Sequence, residues 1–159
     1  MYALTLIQPW AYAIASLGKD IENRTWVPPG RCLGQRIAIH AGAKCSADAI
    51  VGLSLRGHAV PHQPPSRAVV ATALLVGWAR DEASFSTTLT RAEATAALRS
   101  PWYIAGQIAW VLRDAQPLRV PVPCKGALGL WRLPFALTEE GHAGTNIGLK
   151  CRRMPDGGG

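Results

Sequence analysis

Three charged residues near the start of the chain have types and spacing that suit polar recognition. Lys19 follows Gly18, and residues 20–26 alternate as a strand does, so Glu22 and Arg24 share one face with their heads roughly 7 Å apart. A carboxylate beside two cations can accept from the exocyclic amine of a nucleobase, while arginine donates to a carbonyl or a phosphate. The residues alone leave open whether this cluster binds a ligand or is a structural salt bridge.

Gln8 and Trp10 are counted in the predicted ligand site, and we expect Gln8 to converge with Lys19, Glu22 and Arg24. Gln8 has an amide that either reads a base edge or caps the following helix, and the ring of Trp10 either covers a base or anchors the core. Trp26 faces the same way as the cluster, so we count it in the predicted ligand site. Trp102 and Tyr103 form an aromatic pair that either stacks on unpaired bases or plugs one end of the fold.

Two residues farther along the chain are also predicted to contact the ligand. His40 lies on the strand face opposite Ile37 and Ile39, so it need not point into the core, although a lone histidine is more often structural than catalytic. Lys125 precedes a glycine in a turn, which suits contact with a phosphate. The cysteines are widely separated and contain no C-x-x-C pair, so we expect neither a metal ion nor any other cofactor.

Composition favours a partner that carries negative charge. The 159-residue chain has a formal net charge of +7 and a pI near 9.8, which favour polyanions such as RNA. Its start lacks the charged region of a signal peptide, and its longest apolar stretch, 68–79, is too short to cross a membrane. We therefore expect a cytoplasmic protein with reduced cysteines and no membrane association, whose oligomeric state the sequence does not define.

The elements that must position these residues are short strands and a few helices. A first helix is expected between Pro9 and Gly18, a second from the cap Ser46, and a third over 90–98, where Thr90 and Glu93 form a capping box. Period-two or β-branched patterns predict strands at 2–7, 20–26, 35–40, 67–78, 107–113, 119–122 and 126–133. This pattern predicts one α+β domain over 1–137, with about six strands and two to four flanking helices, and a partly disordered tail over 138–159.

Three motifs occur in order within the first 42 residues: QPWA at 8–11, GKDIENRTW at 18–26 and IAIHAG at 37–42. This series resembles the ASCH family, a branch of the PUA-like superfamily. The strings GQIAWVLRD at 106–114 and PVPCKGALGLW at 121–131 are similar to the C-terminal barrel strands of that family. The resemblance brackets residues 4–133 and implies a small PUA-like mixed β-barrel, with a ligand cleft built on the motif positions.

The resemblance implies two alternative functions. One is a non-catalytic module that binds RNA or a modified nucleotide in a basic cleft. The other is an amidohydrolase that deacetylates acetylated cytidine, as some small ASCH proteins do with a lysine, a threonine and a glutamate. Lys19 matches the family lysine, but Glu22 stands where the threonine nucleophile is expected. If the protein is an enzyme, Glu22 would activate water and Lys19 would stabilise charge on the amide oxygen.

Overall fold

A computed structural model of the chain describes residues 1–137, so the predicted tail 138–159 lies outside the described residues. One mixed sheet of six strands carries three helices, which confirms the predicted α+β class. The strands are β1 (Tyr2–Gln8), β2 (Ile21–Arg24), β3 (Gln35–Cys45), β4 (Ala68–Ala79), β5 (Ile108–Pro123) and β6 (Leu130–Arg132). The helices are α1 (Trp10–Ser16), α2 (Ala47–Leu55) and α3 (Arg91–Leu98).

The strands lie in the order β2-β5-β4-β3-β1-β6, so β2 and β6 are the two edges of the sheet. β1 pairs parallel to β3 and antiparallel to β6, and the other neighbouring strands are antiparallel. Within residues 1–137 no pairing joins β2 to β6. Closure of the sheet into the predicted barrel is therefore not confirmed.

Both faces of the sheet are covered. On one face the largest core cluster includes Leu4, Ile37 and Trp110 and packs against α1. On the other face a second cluster forms around Ala38 and Val69, with contributions from 118–137. Because strands buried on two faces lose the apolar and polar alternation of half-exposed strands, residues 37–42 of β3 are all buried.

β5 differs most from the sequence prediction. We expected two strands at 107–113 and 119–122, whereas the structure has one continuous strand of 16 residues. Its register with β4 shifts at three points, and Asp114 adopts a positive φ of 47°. Bulges of this kind bend a strand without ending it, so the polar residues that suggested a loop lie at irregular points within one strand.

The predicted helix signals are present. Ser46 Oγ accepts from Ala49 N at 3.2 Å, and both hydrogen bonds of the capping box between Thr90 and Glu93 form at the start of α3. α1 begins at Trp10, and Gly18 follows it with a positive φ of 70°. No helix within residues 1–137 has both the length and the apolar character that a membrane span requires.

Candidate functional site

A cleft of about 430 Å³ opens where β2, the start of α1 and the end of α2 meet the loop that precedes β5. The cleft lining combines a buried charged pair, an amide, an exposed arginine and several aromatic rings. The lining residues are Trp10, Lys19, Glu22, Asn23, Arg56, Pro101, Trp102, Tyr103 and Ile104. Chain segments that are far apart in sequence therefore build one concave surface.

Lys19, Glu22 and Arg24 form the predicted ion-pair cluster. Lys19 Nζ donates to Glu22 Oε2 at 2.9 Å and to the backbone carbonyl of Ile21, and Lys19 is only 4% exposed. Arg24 Nε lies 3.2 Å from Glu22 Oε1, within ion-pair distance but without hydrogen-bond geometry. One carboxylate thus contacts two cations at the edge of the cleft, as the alternation of residues 20–26 predicted.

Arg24 and Trp26 lie beside the cleft, and neither is among the residues that line it. The Arg24 guanidinium is 6.0 Å from the ring centroid of Trp110, and Arg24 Nη2 donates to the carbonyl of Thr5 at 3.4 Å. The Trp26 ring meets Trp110 edge-on at 4.7 Å, and the Trp26 carbonyl accepts from Trp110 Nε1 at 2.9 Å. Trp26 therefore packs against the core at this position.

The side chain of Asn23 in β2 forms two hydrogen bonds with the loop that carries Trp102 and Tyr103. Asn23 Nδ2 donates to the Trp102 carbonyl at 2.9 Å, and Asn23 Oδ1 accepts from Ile104 N at 2.9 Å. The Trp102 ring stacks on His58, with centroids 5.1 Å apart and planes at 30°. These contacts hold one aromatic wall of the cleft in a defined place.

Arg56 and Asn23 were missed by sequence reasoning. Arg56 follows α2 and is exposed at the cleft, and no local pattern marks it because its position depends on how α2 docks. The alternation of residues 20–26 predicts Asn23 on the strand face opposite Glu22, yet both residues of the edge strand β2 line the cleft. Trp102 and Tyr103 were recognised as an aromatic pair with two possible roles, and both rings line the cleft.

Gln8 does not join this cluster, which corrects our expectation that it would converge with Lys19. Its side chain is fully buried, its Nε2 donates to the carbonyl of Pro65, and its Oε1 accepts from Tyr12 N at 3.0 Å. Gln8 instead lines a separate cavity of about 110 Å³. Because both ends of its amide are used internally, its position matches the helix-capping alternative.

His40 and Lys125 also lie away from the cleft. His40 is 1% exposed, its Nε2 is 3.1 Å from the carbonyl of Cys124, and its ring meets Trp131 edge-on at 5.6 Å. The expectation that His40 need not point into the core was wrong, because the second face of the sheet is covered as well. Lys125 is exposed in the chain segment that crosses over His40, so neither residue contacts the Lys19 and Glu22 pair.

Within residues 1–137, no three His, Cys, Asp or Glu side chains are arranged to hold a metal ion. Burial raises the pKa of the Cys32 thiol, which keeps it protonated inside the core. The described cleft lining contains no Ser, Thr or Cys, and the groups in it that could supply a nucleophile are Lys19, Glu22, Tyr103 or a water molecule.

Comparisons with known proteins returned structural matches only. No protein-family model matches the chain, and no curated protein matches it. The chain is similar to the crystal structure of ASCH from Zymomonas mobilis, with 22% identity, a TM-score of 0.42, and coverage of 77% of this chain and 72% of that chain. Structures of two mutants of that protein match at 22% and 20% identity, each with a TM-score of 0.41, over 77% of this chain and 74% and 72% of theirs.

The matched structures are ASCH proteins, the family that the motifs over residues 8–42 resemble. At this identity and TM-score the matches assign no role to individual side chains. Those roles rest on the contacts that the side chains of this chain make.

Proposed function

We propose that this chain is an ASCH-type module whose cleft binds an unpaired base of RNA, or of a related nucleotide, beside the Lys19 and Glu22 pair. The observation that carries the proposal is the meeting of three aromatic residues, Trp10, Trp102 and Tyr103, with this buried charged pair in one opening. Aromatic faces stack on any base, and polar groups next to them read the base edge. The cleft volume of about 430 Å³ falls in the range of small-ligand sites.

Glu22 is suited to read the edge of a base. Each of its oxygens already contacts a cation, but a carboxylate has about four acceptor sites, so it can still accept from an amino group. Lys19 and Arg24 fix the direction of the carboxylate, since both cations contact it at 3.2 Å or less. A fixed acceptor favours bases that carry an exocyclic amine, such as cytosine and adenine.

Arg56 is suited to contact the phosphate attached to the bound base. It is exposed at the cleft, and within residues 1–137 it forms no ion pair with a carboxylate. Guanidinium groups bind phosphate oxygens through two parallel hydrogen bonds. In this proposal the aromatic residues stack on the base, Glu22 accepts a hydrogen bond from its edge, and Arg56 contacts its phosphate.

The test of this proposal compares two tryptophans. Trp102→Ala removes a ring that lines the cleft, whereas Trp26→Ala removes a ring of the same type that packs outside it. We expect Trp102→Ala to weaken the binding of a labelled cytidine- and adenosine-containing oligonucleotide about tenfold, because stacking contributes roughly 1–3 kcal/mol per base. Fluorescence anisotropy would measure the affinity of both variants for the oligonucleotide, and Trp26→Ala should bind about as tightly as the wild type. If Trp102→Ala also bound as tightly as the wild type, the cleft would not be the binding site.

The contact between Lys19 and Glu22 also favours a second candidate function, the hydrolysis of an acetylated base. A carboxylate that reaches the cleft can take a proton from water, and an ammonium 2.9 Å from it can stabilise charge on an amide oxygen. This candidate predicts release of acetate from acetylated cytidine and its loss in Glu22→Gln. A correctly folded Glu22→Gln protein with full turnover would exclude this mechanism.

A further inference from the structure

Two arginines from distant parts of the chain converge on the hydroxyl of Tyr2. Arg31 Nε donates to Tyr2 Oη at 3.0 Å, and Arg132 Nη2 donates to the same oxygen at 3.4 Å. Their guanidinium carbons lie 5.7 and 5.1 Å from the centroid of the Tyr2 ring. We call Tyr2, Arg31 and Arg132 the arginine clamp.

The clamp concentrates positive charge without a carboxylate to balance it. Within residues 1–137 neither arginine forms an ion pair with Asp or Glu, although Arg24, Arg36 and Arg113 all do. The hydrogen bond from Arg31 lowers the pKa of the Tyr2 hydroxyl, which shows that the clamp favours negative charge at this point. Each guanidinium spends one of its five N–H donors on Tyr2, so the others can bind an anion.

The clamp and the ion-pair cluster lie on the same face of the sheet. Tyr2 packs against the core cluster that contains Trp110, and Trp110 is the cross-strand neighbour of Glu22 in β5. Arg24 reaches the carbonyl of Thr5, which is three residues from Tyr2 along β1 and thus roughly 10 Å from it. This distance is short enough for a strand of a few nucleotides to reach from Arg24 to the clamp.

We infer that the arginine clamp binds a backbone phosphate of the RNA strand whose base occupies the cleft. This inference rests on the proposed function and makes it more specific, because it names a polymer and not a free nucleoside as the ligand. Each guanidinium can donate two parallel hydrogen bonds to oxygens of the phosphate, and such contacts position a nucleic-acid strand without reading its sequence. The Tyr2 hydroxyl holds the two guanidiniums near each other before the phosphate arrives.

The double variant Arg31→Gln/Arg132→Gln tests this inference. We expect its affinity for an oligonucleotide of about 12 nucleotides to fall at least tenfold, while its affinity for the mononucleotide stays that of the wild type. Since single strands contribute about 0.7 per phosphate contact to the salt slope, loss of the one phosphate that the clamp binds should lower the slope by about 0.7. Arg80→Gln/Arg91→Gln removes the same charge from two exposed positions, one directly after β4 and one at the start of α3, and should leave both affinities nearly unchanged.

Further measurements separate the clamp from the cleft. In the wild type, the oligonucleotide should shift the NMR signal of Arg31 Nε–H, whereas a response to inorganic phosphate alone would show a free-anion site and overturn the inference. Arg31→Lys/Arg132→Lys keeps the charge without the paired donors, so it should fold like the wild type. Its affinity for the oligonucleotide should lie between that of the wild type and that of Arg31→Gln/Arg132→Gln.

Two combinations of results distinguish this inference from the proposed function. If Trp102→Ala weakens binding and Arg31→Gln/Arg132→Gln does not, the clamp is not a phosphate site, and the proposed base site in the cleft is supported. If Arg31→Gln/Arg132→Gln weakens binding of the long strand and Trp102→Ala does not, the clamp holds and the proposed base site fails.

Discussion

Among the described side chains that line the cleft, Glu22 is the one carboxylate, and it contacts both Lys19 and Arg24. Glu22→Gln leaves two cations next to each other with little access to water, so we expect it to lower the free energy of unfolding by about 2–4 kcal/mol. Lys19→Met should suppress part of that loss in the double variant, because it removes one unpaired charge. Urea unfolding followed by circular dichroism measures the free energies of unfolding of the wild type, the two single variants and the double variant, which together form a double-mutant cycle.

The exposed pair between Arg36 and Asp114 is the matched control for this cycle. Asp114 is more than half exposed and has a positive φ, which asparagine tolerates, so Asp114→Asn removes a charge without straining the backbone. Exposed pairs contribute little, and we expect a much smaller loss than for Glu22→Gln. Equal losses in the two variants would show that burial does not strengthen the cluster.

Single residues were predicted well where their partners are local. Glu22 and Arg24 meet because the period of a strand sets their spacing, and the chain turn after Gly18 delivers Lys19 to them. Gln8 and His40 were misplaced because their partners are distant: the carbonyl of Pro65 is 57 residues from Gln8, and that of Cys124 is 84 residues from His40. A spacing pattern contains no information about such partners.

The capping box that starts α3 gives a prediction about acid sensitivity. Hydrogen bonds from the Thr90 backbone N–H and hydroxyl lower the pKa of Glu93 below its usual value of 4.5. A carboxylate with a lowered pKa contributes stability that is complete above the pKa of the unfolded chain and is lost as the pH falls through the folded pKa. We therefore expect Glu93→Gln to melt below the wild type near pH 7 and to approach it in acid, as thermal unfolding across pH would show.

A gap between the two melting temperatures that stays constant down to pH 2 would contradict a role for the Glu93 charge. Thr90→Ala removes the cap without changing any charge, so its loss of about 1 kcal/mol should depend less on pH.

Gly126 fixes how closely the segment after β5 can pass over His40. A Cβ at this position would lie 2.4 Å from His40 Cε1 and 2.8 Å from Thr5 Oγ1, so Gly126→Ala forces buried atoms to move. We expect Gly126→Ala to lower the free energy of unfolding by about 1–3 kcal/mol. Gly30→Ala is the control, because no atom lies within 4 Å of its added Cβ and its φ is not positive.

The combination of Gly126→Ala with His40→Ala identifies the cause of that loss. Removal of the imidazole makes room for the new methyl group, so the double variant should lose less than the sum of the single changes. Strictly additive losses would place the strain elsewhere.

At the scale of elements, the helices were easier to predict than the strands. The caps at Ser46 and Thr90 use residues within three positions of each other, and both were recognised. β5 was divided in two because its bulges place polar residues where a regular strand would not have them. β6 was predicted too long, since only three residues after Gly129 pair with β1.

The whole molecule has a net charge of +7, and four arginines mark the path that we propose for RNA. Two of them, Arg24 and Arg56, lie at or beside the cleft, and Arg31 and Arg132 form the clamp. If Arg24 and Arg56 each contact one phosphate and the clamp contacts one more, the logarithm of the binding constant should fall with the logarithm of salt concentration with a slope of about −2. Titrations between low and moderate salt measure this slope, and a value near zero would exclude a path along the phosphates.

The shape of the cleft could not be predicted from the sequence. Its walls come from Trp10, β2, Arg56 and the loop 101–104, and these segments meet only after β2 pairs with β5 and α2 docks. The sequence indicated the net charge, the family resemblance, and the Lys19 and Glu22 pair of the cleft. Its aromatic wall depends on Asn23, whose hydrogen bonds to a loop about 80 residues away leave no local signal.

β1 lies between β3 and β6, so the first strand of the chain receives its last neighbour near residue 130. During synthesis the ribosome must add about 120 residues after β1 before Leu130 can pair with Leu4, which takes roughly 6–25 s at ordinary rates of elongation. One side of this apolar strand is exposed to neighbouring nascent chains throughout that interval, so a chaperone that holds the amino-terminal segment should raise the yield of folded protein.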